Sequence, residues 1–254
     1  MIKEISTDIE QFKILKKPPK TLFALGNTSL LETKMVSIVG TRRPISYTKD
    51  QTQRLASAFA SIGYTVVSGA AMGVDALAHQ AALPDTIAVM ANSLDIIYPK
   101  VNQKLITQIH EKSLAISEYP QTTKGTRYSF VVRNRLVVAL GEVLIITEAD
   151  LDSGTMRSAE IAKELGKEIY VLSHRLTDSR GTQKLLEDGD AKLITDIESF
   201  VSKFGEVKLV TDEDELFFKT TPTLKEALQK YGDKIYEYEL EGKIEVKNLK
   251  VYWC

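Results

Sequence analysis

A single cysteine, Cys254, occurs in 254 residues, which excludes an internal disulfide and any thiolate metal cluster built by one chain. Histidine is almost as scarce. His79, His110 and His174 lie in unrelated contexts and lack a metal-ligand spacing such as HExxH, so no metal site is expected. No apolar run approaches the ~20 residues of a membrane-spanning helix, and no membrane association is expected. The opening MIKEISTDIE has neither the basic start and apolar stretch of a secretory signal nor the arginine-rich, acid-poor look of a transit peptide; the expected location is the cytoplasm. Two glycine-rich loops are also missing: there is no GxGxxG after the first strand-like run and no GxxxxGK[ST] anywhere. Their absence removes the usual dinucleotide and P-loop readings, and no cofactor is expected. A net charge of −1 excludes coating a polyanion with the whole surface but leaves room for a local basic patch.

What is present is an alternation of strands and helices. Six short runs, MVSIVG, YTVVSG, TIAVMA, LAISEY, VLIITEA and EIYVLS, are nearly continuous in apolar residues, as in strands buried on both faces of a sheet. Helix-like segments separate most of them; TKDQTQRLASAFASIG places Leu55, Phe59 and Ile62 on one side and stops at Gly63, a C′ glycine. The pattern predicts an α/β fold, a Rossmann-like doubly wound, mostly parallel sheet over residues 35–205. Residues 1–34 read as an extension packing on that core through Leu22, Phe23 and Leu25, residues 206–218 as an acidic linker, and residues 219–254 as a small module of one or two helices and two strands turning at Lys247 and Asn248.

In such sheets ligands meet the loops at the carboxyl ends of the strands, and four of these loops carry suggestive chemistry. In SIVGTRRP, residues 37–44, the expected further glycines give way to arginine. Gly40 and Thr41 stand beside Arg42 and Arg43, whose guanidinium groups can grip a phosphate through paired hydrogen bonds; the alternative is a solvated pair or internal ion-bridge partners. In SGAAMGVDALAH, residues 68–79, the turn of Ser68, Gly69, Ala70 and Gly73 precedes a helix starting near Val74 and is expected to present backbone N–H groups to an anion. Asp75 and His79 share a helix face and read as loop braces, with a catalytic acid/base pair as the other reading. In TKGTRYSFVVRNRLV, residues 123–137, Lys124, Arg127, Arg133 and Arg135 interleave with Tyr128 and Phe130, the cations and flat rings that single-stranded nucleic acid needs; the alternative makes Phe130 core and the arginines rim charges. In DSGTMRSAE, residues 152–160, Ser153, Gly154 and Thr155 open a helix whose first N–H groups suit a phosphate, or form an ordinary cap. The same stretch, with SGT followed by Glu160, faintly echoes nucleotide-cleaving enzymes of related fold, but only one glycine precedes Thr155 and Asp152 adds negative charge. No catalytic residue is assigned.

The collinear series SIVGTRRPISY, VVSGAAMGVDALAH, LDIIYP, SEYP, FVVRNRLV, ITEADLDSGTMRSAEIAKELGKEIYVL and SRGTQKLLEDGDAKLI resembles the DNA-processing protein A family, also called Smf, over about residues 15–205. The resemblance implies an extended Rossmann domain that binds single-stranded DNA, forms a homodimer and hands incoming DNA to the recombinase RecA during natural transformation. It implies that Gly40, Thr41 and Arg42, together with the loop from Ser68 to Asp75, help form a positively charged phosphate pocket. Phe130, Arg133, Asn134 and Arg135 match an F-x-x-RNR motif bordering the same groove, and Arg127 stands where a basic residue commonly helps the contact. The tail is similar to the family's small winged-helix-like module; with so many acids, contact with a partner or a second copy is the expected use.

Overall fold

The computed structural model describes residues 1–205, 214, 217–218 and 221–253. Most of the expected linker at 206–218, and Cys254, lie outside the described residues. The chain divides into two compact units, Met1–Val207 and Lys208–Cys254.

The first unit is built on a nine-stranded sheet of order β1-β2-β6-β5-β4-β3-β7-β8-β9. The six apolar runs form β3 (Met35–Val39), β4 (Thr65–Ser68), β5 (Thr86–Met90), β6 (Leu114–Ser117), β7 (Leu144–Ile146) and β8 (Ile169–Leu172). Every residue in them is buried, as continuous apolar strands require when both sheet faces are covered. These six and β9 (Lys192–Ile194) run parallel. The chain builds outward from β3 to β6 in one direction, then returns to add β7 on the other side of β3. The topological switch therefore lies between β3 and β7. The expected N-terminal extension is part of the sheet: β1 (Lys3–Ile5) pairs with β2 (Leu22–Gly26), and β2 pairs antiparallel with β6.

Alternate strand residues serve two layers. Val36, Ile38, Val66, Ile145, Tyr170 and Leu172 point into a core shared with α1 (Ser46–Ser61), α2 (Val74–Ala82) and α7 (Ile197–Val201). On the same side α3 (Gln103–Lys112) covers Ala88, Met90 and Ala115. Val39, Val67, Ile87, Val89, Leu144 and Ile146 meet α4 (Arg127–Leu140) and α5 (Gly154–Glu164) on the other side, where α6 (Arg180–Glu187) adds Leu185. The stretch read as basic residues interleaved with aromatics is thus largely a helix. Its start is fixed by a capping box in which the Thr126 and Ser129 side chains satisfy each other's backbone N–H groups, and its last turns, Leu136 to Leu140, are fully internal.

The second unit has α8 (Leu224–Tyr231), α9 (Lys234–Leu240) and a hairpin of β10 (Ile244–Lys247) with β11 (Lys250–Trp253), the helix-then-wing order of a winged-helix-like module. Phe218, Ala227, Ile235, Ile244 and Val251 form its core. The hairpin turns at Asn248 and Leu249, one residue later than expected; both have positive φ, 50° and 60°, as a two-residue turn matched to the strand twist demands. Among the described residues no helix is long and apolar enough to cross a membrane.

Phe59 joins α1 to α7. It is fully buried, with the rings of Tyr64, Phe200 and Phe204 at 5.6, 5.9 and 5.3 Å. Phe59→Ala is expected to lower the stability of the first unit by about 3–5 kcal/mol, measured by urea unfolding; a loss below about 1 kcal/mol would show that the cluster collapses into the space.

Candidate nucleic-acid interface

The carboxyl ends of β3, β4 and β5 surround a groove lined by Arg42, Gly69, Ala70, Asn92, Tyr98 and Phe130. Four of these were anticipated from the sequence, and they come from three different segments. The loop after β3 is pinned before it reaches solvent. Thr41 donates its N–H to the Glu148 carbonyl at 2.9 Å and accepts from the Val74 N–H at 3.1 Å, while the Ile45 N–H reaches the Glu148 carboxylate at 3.1 Å. Gly40 and Gly73 permit this closeness: a Cβ on Gly40 would lie 2.7 Å from the Val74 side chain, and one on Gly73, where φ is 79°, only 2.4 Å from the Thr41 carbonyl. Arg42 and Arg43 consequently project from a fixed base, both exposed, and neither makes an ion pair with a described residue.

The loop after β4 differs from the sequence expectation in one decisive respect. The amides of residues 69–71 do not face outward. The Asp75 carboxylate accepts the N–H groups of Gly69 and Ala71 at 3.2 and 3.3 Å, and His79 Nε2 accepts that of Ala70 at 3.3 Å. The Val74 N–H is spent on Thr41. The loop therefore offers no N–H from these four residues to an anion. The reason is the pair of braces on α2: Asp75 and His79 are both buried, and a buried carboxylate and imidazole must find partners. Ala70, at φ 56°, completes the tight turn, and its carbonyl and that of Ala71 accept from the Asn102 amide. Ser68 is buried and donates to the Ile38 carbonyl at 2.6 Å.

The protonation of His79 follows from its neighbours. Thr86 donates its hydroxyl to the Val66 carbonyl, so it accepts from His79 Nδ1–H at 2.6 Å, leaving Nε2 as the acceptor for Ala70. Burial, reinforced by the nearby Arg133 charge, lowers the His79 pKa to about 3. Burial raises the pKa of Asp75, against the opposing pull of Arg133 and the loop amides.

Arg133 is a correction to the expected set of DNA contacts. It is 5% exposed, and its Nη1 donates to the Val89 carbonyl at 2.9 Å. The guanidinium lies against the back of Gly69, where a Cβ would come within 1.5 Å of Nη1. Burial lowers its pKa while Asp75 supports the charged form. Arg135 is likewise occupied: its guanidinium grips Glu118 at 2.6 and 2.7 Å and its Nε reaches the Lys17 carbonyl at 3.2 Å. Asn134 reaches only to the Gly154 carbonyl at 3.5 Å. Arg133 thus backs the groove wall at Gly69, while Asn134 and Arg135 tie α4 to the start of α5 and to the segments after β6 and before β2.

Lys124 and Arg127 are exposed beside the groove's aromatic wall. Phe130 is half-buried, packed against Tyr98 at 5.7 Å with the rings inclined by 48°. A Cβ on Gly125 would lie 3.2 Å from its edge. Residues 153–155 are not part of the groove. Ser153 caps α5 through the Met156 N–H, Thr155 is buried, and the neighbouring depression is lined by Asp150, Leu151, Asp152 and Arg180. This turn follows β7, across the switch point from β4 and β5, and two carboxylates flank it. Tyr98, half-exposed on the rim, and Asn92, whose buried Oδ1 has no partner among the described residues, are groove residues that the sequence does not assign to the site, although Asn92 stands where the family usually has glycine. Their signal was the loop NSLDIIYP at the carboxyl end of β5. Among the described residues no cluster of histidine, cysteine and carboxylates could hold a metal ion.

The family model described as DNA recombination-mediator protein A matches residues 7–205. The protein Smf of Synechocystis is 33% identical over 210 residues, covering 79% of this chain and 52% of that protein. The DNA processing protein DprA of Bacillus subtilis is 33% identical over 200 residues, covering 76% and 67%. Among solved structures, DNA processing protein A from Helicobacter pylori, described for its single-stranded DNA binding mode, superposes with a TM-score of 0.79 at 45% identity, covering 80% of this chain and 95% of that one. The DprA structure from Streptococcus pneumoniae gives 0.75 at 29% identity, covering 81% and 75%. The chain spans about half to two-thirds of the length of these two curated relatives.

Two outcomes test the braces. Because the His79 pKa is depressed when folded, its contribution to stability is full above about pH 6.5 and is lost as pH falls toward 3, at up to about 1.4 kcal/mol per pH unit. Between pH 6 and 4 the wild-type chain should therefore lose stability more steeply than His79→Gln, with Asp75 common to both; equal slopes would mean that His79 titrates normally. Gly69→Ala should cost about 1–3 kcal/mol through displacement of Arg133, read from urea midpoints.

Proposed function

The chain belongs to the DNA recombination-mediator protein A family, and from that premise we propose that it is a cytoplasmic, non-catalytic, single-stranded DNA-binding protein. It works as a homodimer, shields incoming strands and loads the recombinase RecA during natural transformation. The observation that carries the reading is the groove in which Arg42, whose guanidinium makes no ion pair with a described residue, meets an aromatic wall of Phe130 and Tyr98. Cations for the backbone and a ring for a base are the two elements a sequence-tolerant strand binder combines. The Helicobacter pylori relative, described for its single-stranded DNA binding, and the recombination-mediator description of the family support the same partner.

The roles divide by geometry. Arg42, Arg43, Lys124 and Arg127 meet phosphates, and Phe130 stacks a base. Gly40, Thr41, Ser68, Gly69, Ala70 and Gly73 shape the walls, while Asp75, His79, Arg133, Asn134 and Arg135 hold them. With the amides of residues 69–71 committed internally, the attraction comes mainly from side-chain charge. A nucleotide-cleaving reading has less to stand on, because Asp150 and Asp152 flank residues 153–155 and would repel a substrate phosphate.

Affinity for an unstructured oligonucleotide is expected to fall with salt at a log–log slope near −3 to −4, from roughly four to six neutralised phosphates at about 0.7 each. Arg42→Ala should weaken binding and make that slope shallower by about 0.7 without lowering the melting temperature; a folded variant that binds like the wild type would remove Arg42 from the interface. Phe130→Ala should lose about 1–3 kcal/mol of binding, measured by fluorescence anisotropy.

A further inference from the structure

Residues 11–20, QFKILKKPPK, hold four lysines and no carboxylate. Two of the lysines have acidic neighbours: Lys13 pairs with Glu10 at 2.5 Å, and Lys16 approaches Glu164 at 3.9 Å. Lys17 and Lys20 are exposed and make no ion pair with a described residue.

Strand direction decides where this run ends up. Because β2 is antiparallel to β6, with Phe23 opposite Ser117, β2 begins where β6 finishes. The chain just before β2 is therefore delivered to the same rim that carries the groove, at the carboxyl ends of the parallel strands. Arg135 fastens it there, holding the Lys17 carbonyl with one edge of its guanidinium and Glu118 with the other. Pro18 and Pro19 follow, the second of them buried, and their fixed φ angles stiffen the segment.

Along that rim the order is β3 with Arg42, then β4 and β5 with the groove, then β6, then β2. Four interstrand steps of about 4.8 Å give a span of roughly 19 Å. Lys124 lies between the two ends: the neighbouring Thr123 carbonyl accepts the Ser93 N–H at 3.0 Å, which places this loop over the end of β5.

We propose that Lys17 and Lys20 are a second phosphate-binding point for single-stranded DNA, reached by a strand that leaves the groove and passes Lys124. The proposal rests on the single-strand reading above. An extended sugar-phosphate chain fits the arrangement because exposed cations that make no ion pair with a described residue stand in three successive places, after β3, before α4 and before β2. The consequence is a footprint longer than the groove.

The test compares two oligothymidines, one of about 4 nucleotides that fills the groove and one of about 16, the range over which single-strand sites vary. Lys17→Ala/Lys20→Ala should bind the short strand like the wild type. It should bind the long strand roughly tenfold more weakly at low salt, with a salt slope shallower by about 1.4 for two lost phosphate contacts; Lys17→Arg/Lys20→Arg should keep the wild-type slope. Equal affinity and slope on the long strand, in a chain whose binding still depends on Arg42, would overturn the second contact alone. Wild-type protein that binds neither strand would overturn the single-strand reading and this proposal with it. Both side chains are exposed, so circular dichroism and melting of the double variant should match the wild type.

Discussion

The groove depends on a small buried set of polar groups: the Asp75 carboxylate, the neutral His79 ring and the Arg133 guanidinium, packed behind the loop after β4. Two of them consume the three amides of residues 69–71, and the third occupies the space a side chain at Gly69 would need. A positive and a negative charge buried together in this way offset part of each other's desolvation. The loop they hold has one shape, with Ala70 in the left-handed region, and that shape forms one wall of the groove.

The opposite wall is fixed by the sheet's own topology. At the switch between β3 and β7, the Glu148 carbonyl and carboxylate take the N–H groups of Thr41 and Ile45, and the start of α2 takes the Thr41 carbonyl. Three elements thus agree on where the chain stands as it leaves β3. Arg42 is positioned by this backbone, is exposed and makes no ion pair with a described residue. Arg133 and Arg135, which look equivalent to it in the sequence, each have an internal acceptor and serve the scaffold.

The parallel sheet was legible because its strands are uninterrupted apolar runs, a pattern forced by burial on both faces. The flanking strands were harder to see. LFALG follows two prolines and reads as a docking segment, while KLI in β9 is short and its first two residues are exposed. In residues 123–137 the alternation of charge and ring suggested a surface track, whereas the capping box and the buried run from Leu136 to Leu140 make the stretch a helix with one internal face. The four candidate stretches follow β3, β4, β6 and β7 as the strand pattern implied, but their division was not readable. Whether an amide faces outward depends on whether a carboxylate six residues later folds back on it, and whether an arginine is free depends on Glu118 or Val89, which lie far away in sequence.

Where the amides of residues 69–71 are committed to Asp75 and His79, that part of the groove is a mould with a quiet floor. Under the proposed function, the grip on a strand resides in the exposed side chains at its margins, Arg42, Arg43, Lys124 and Arg127.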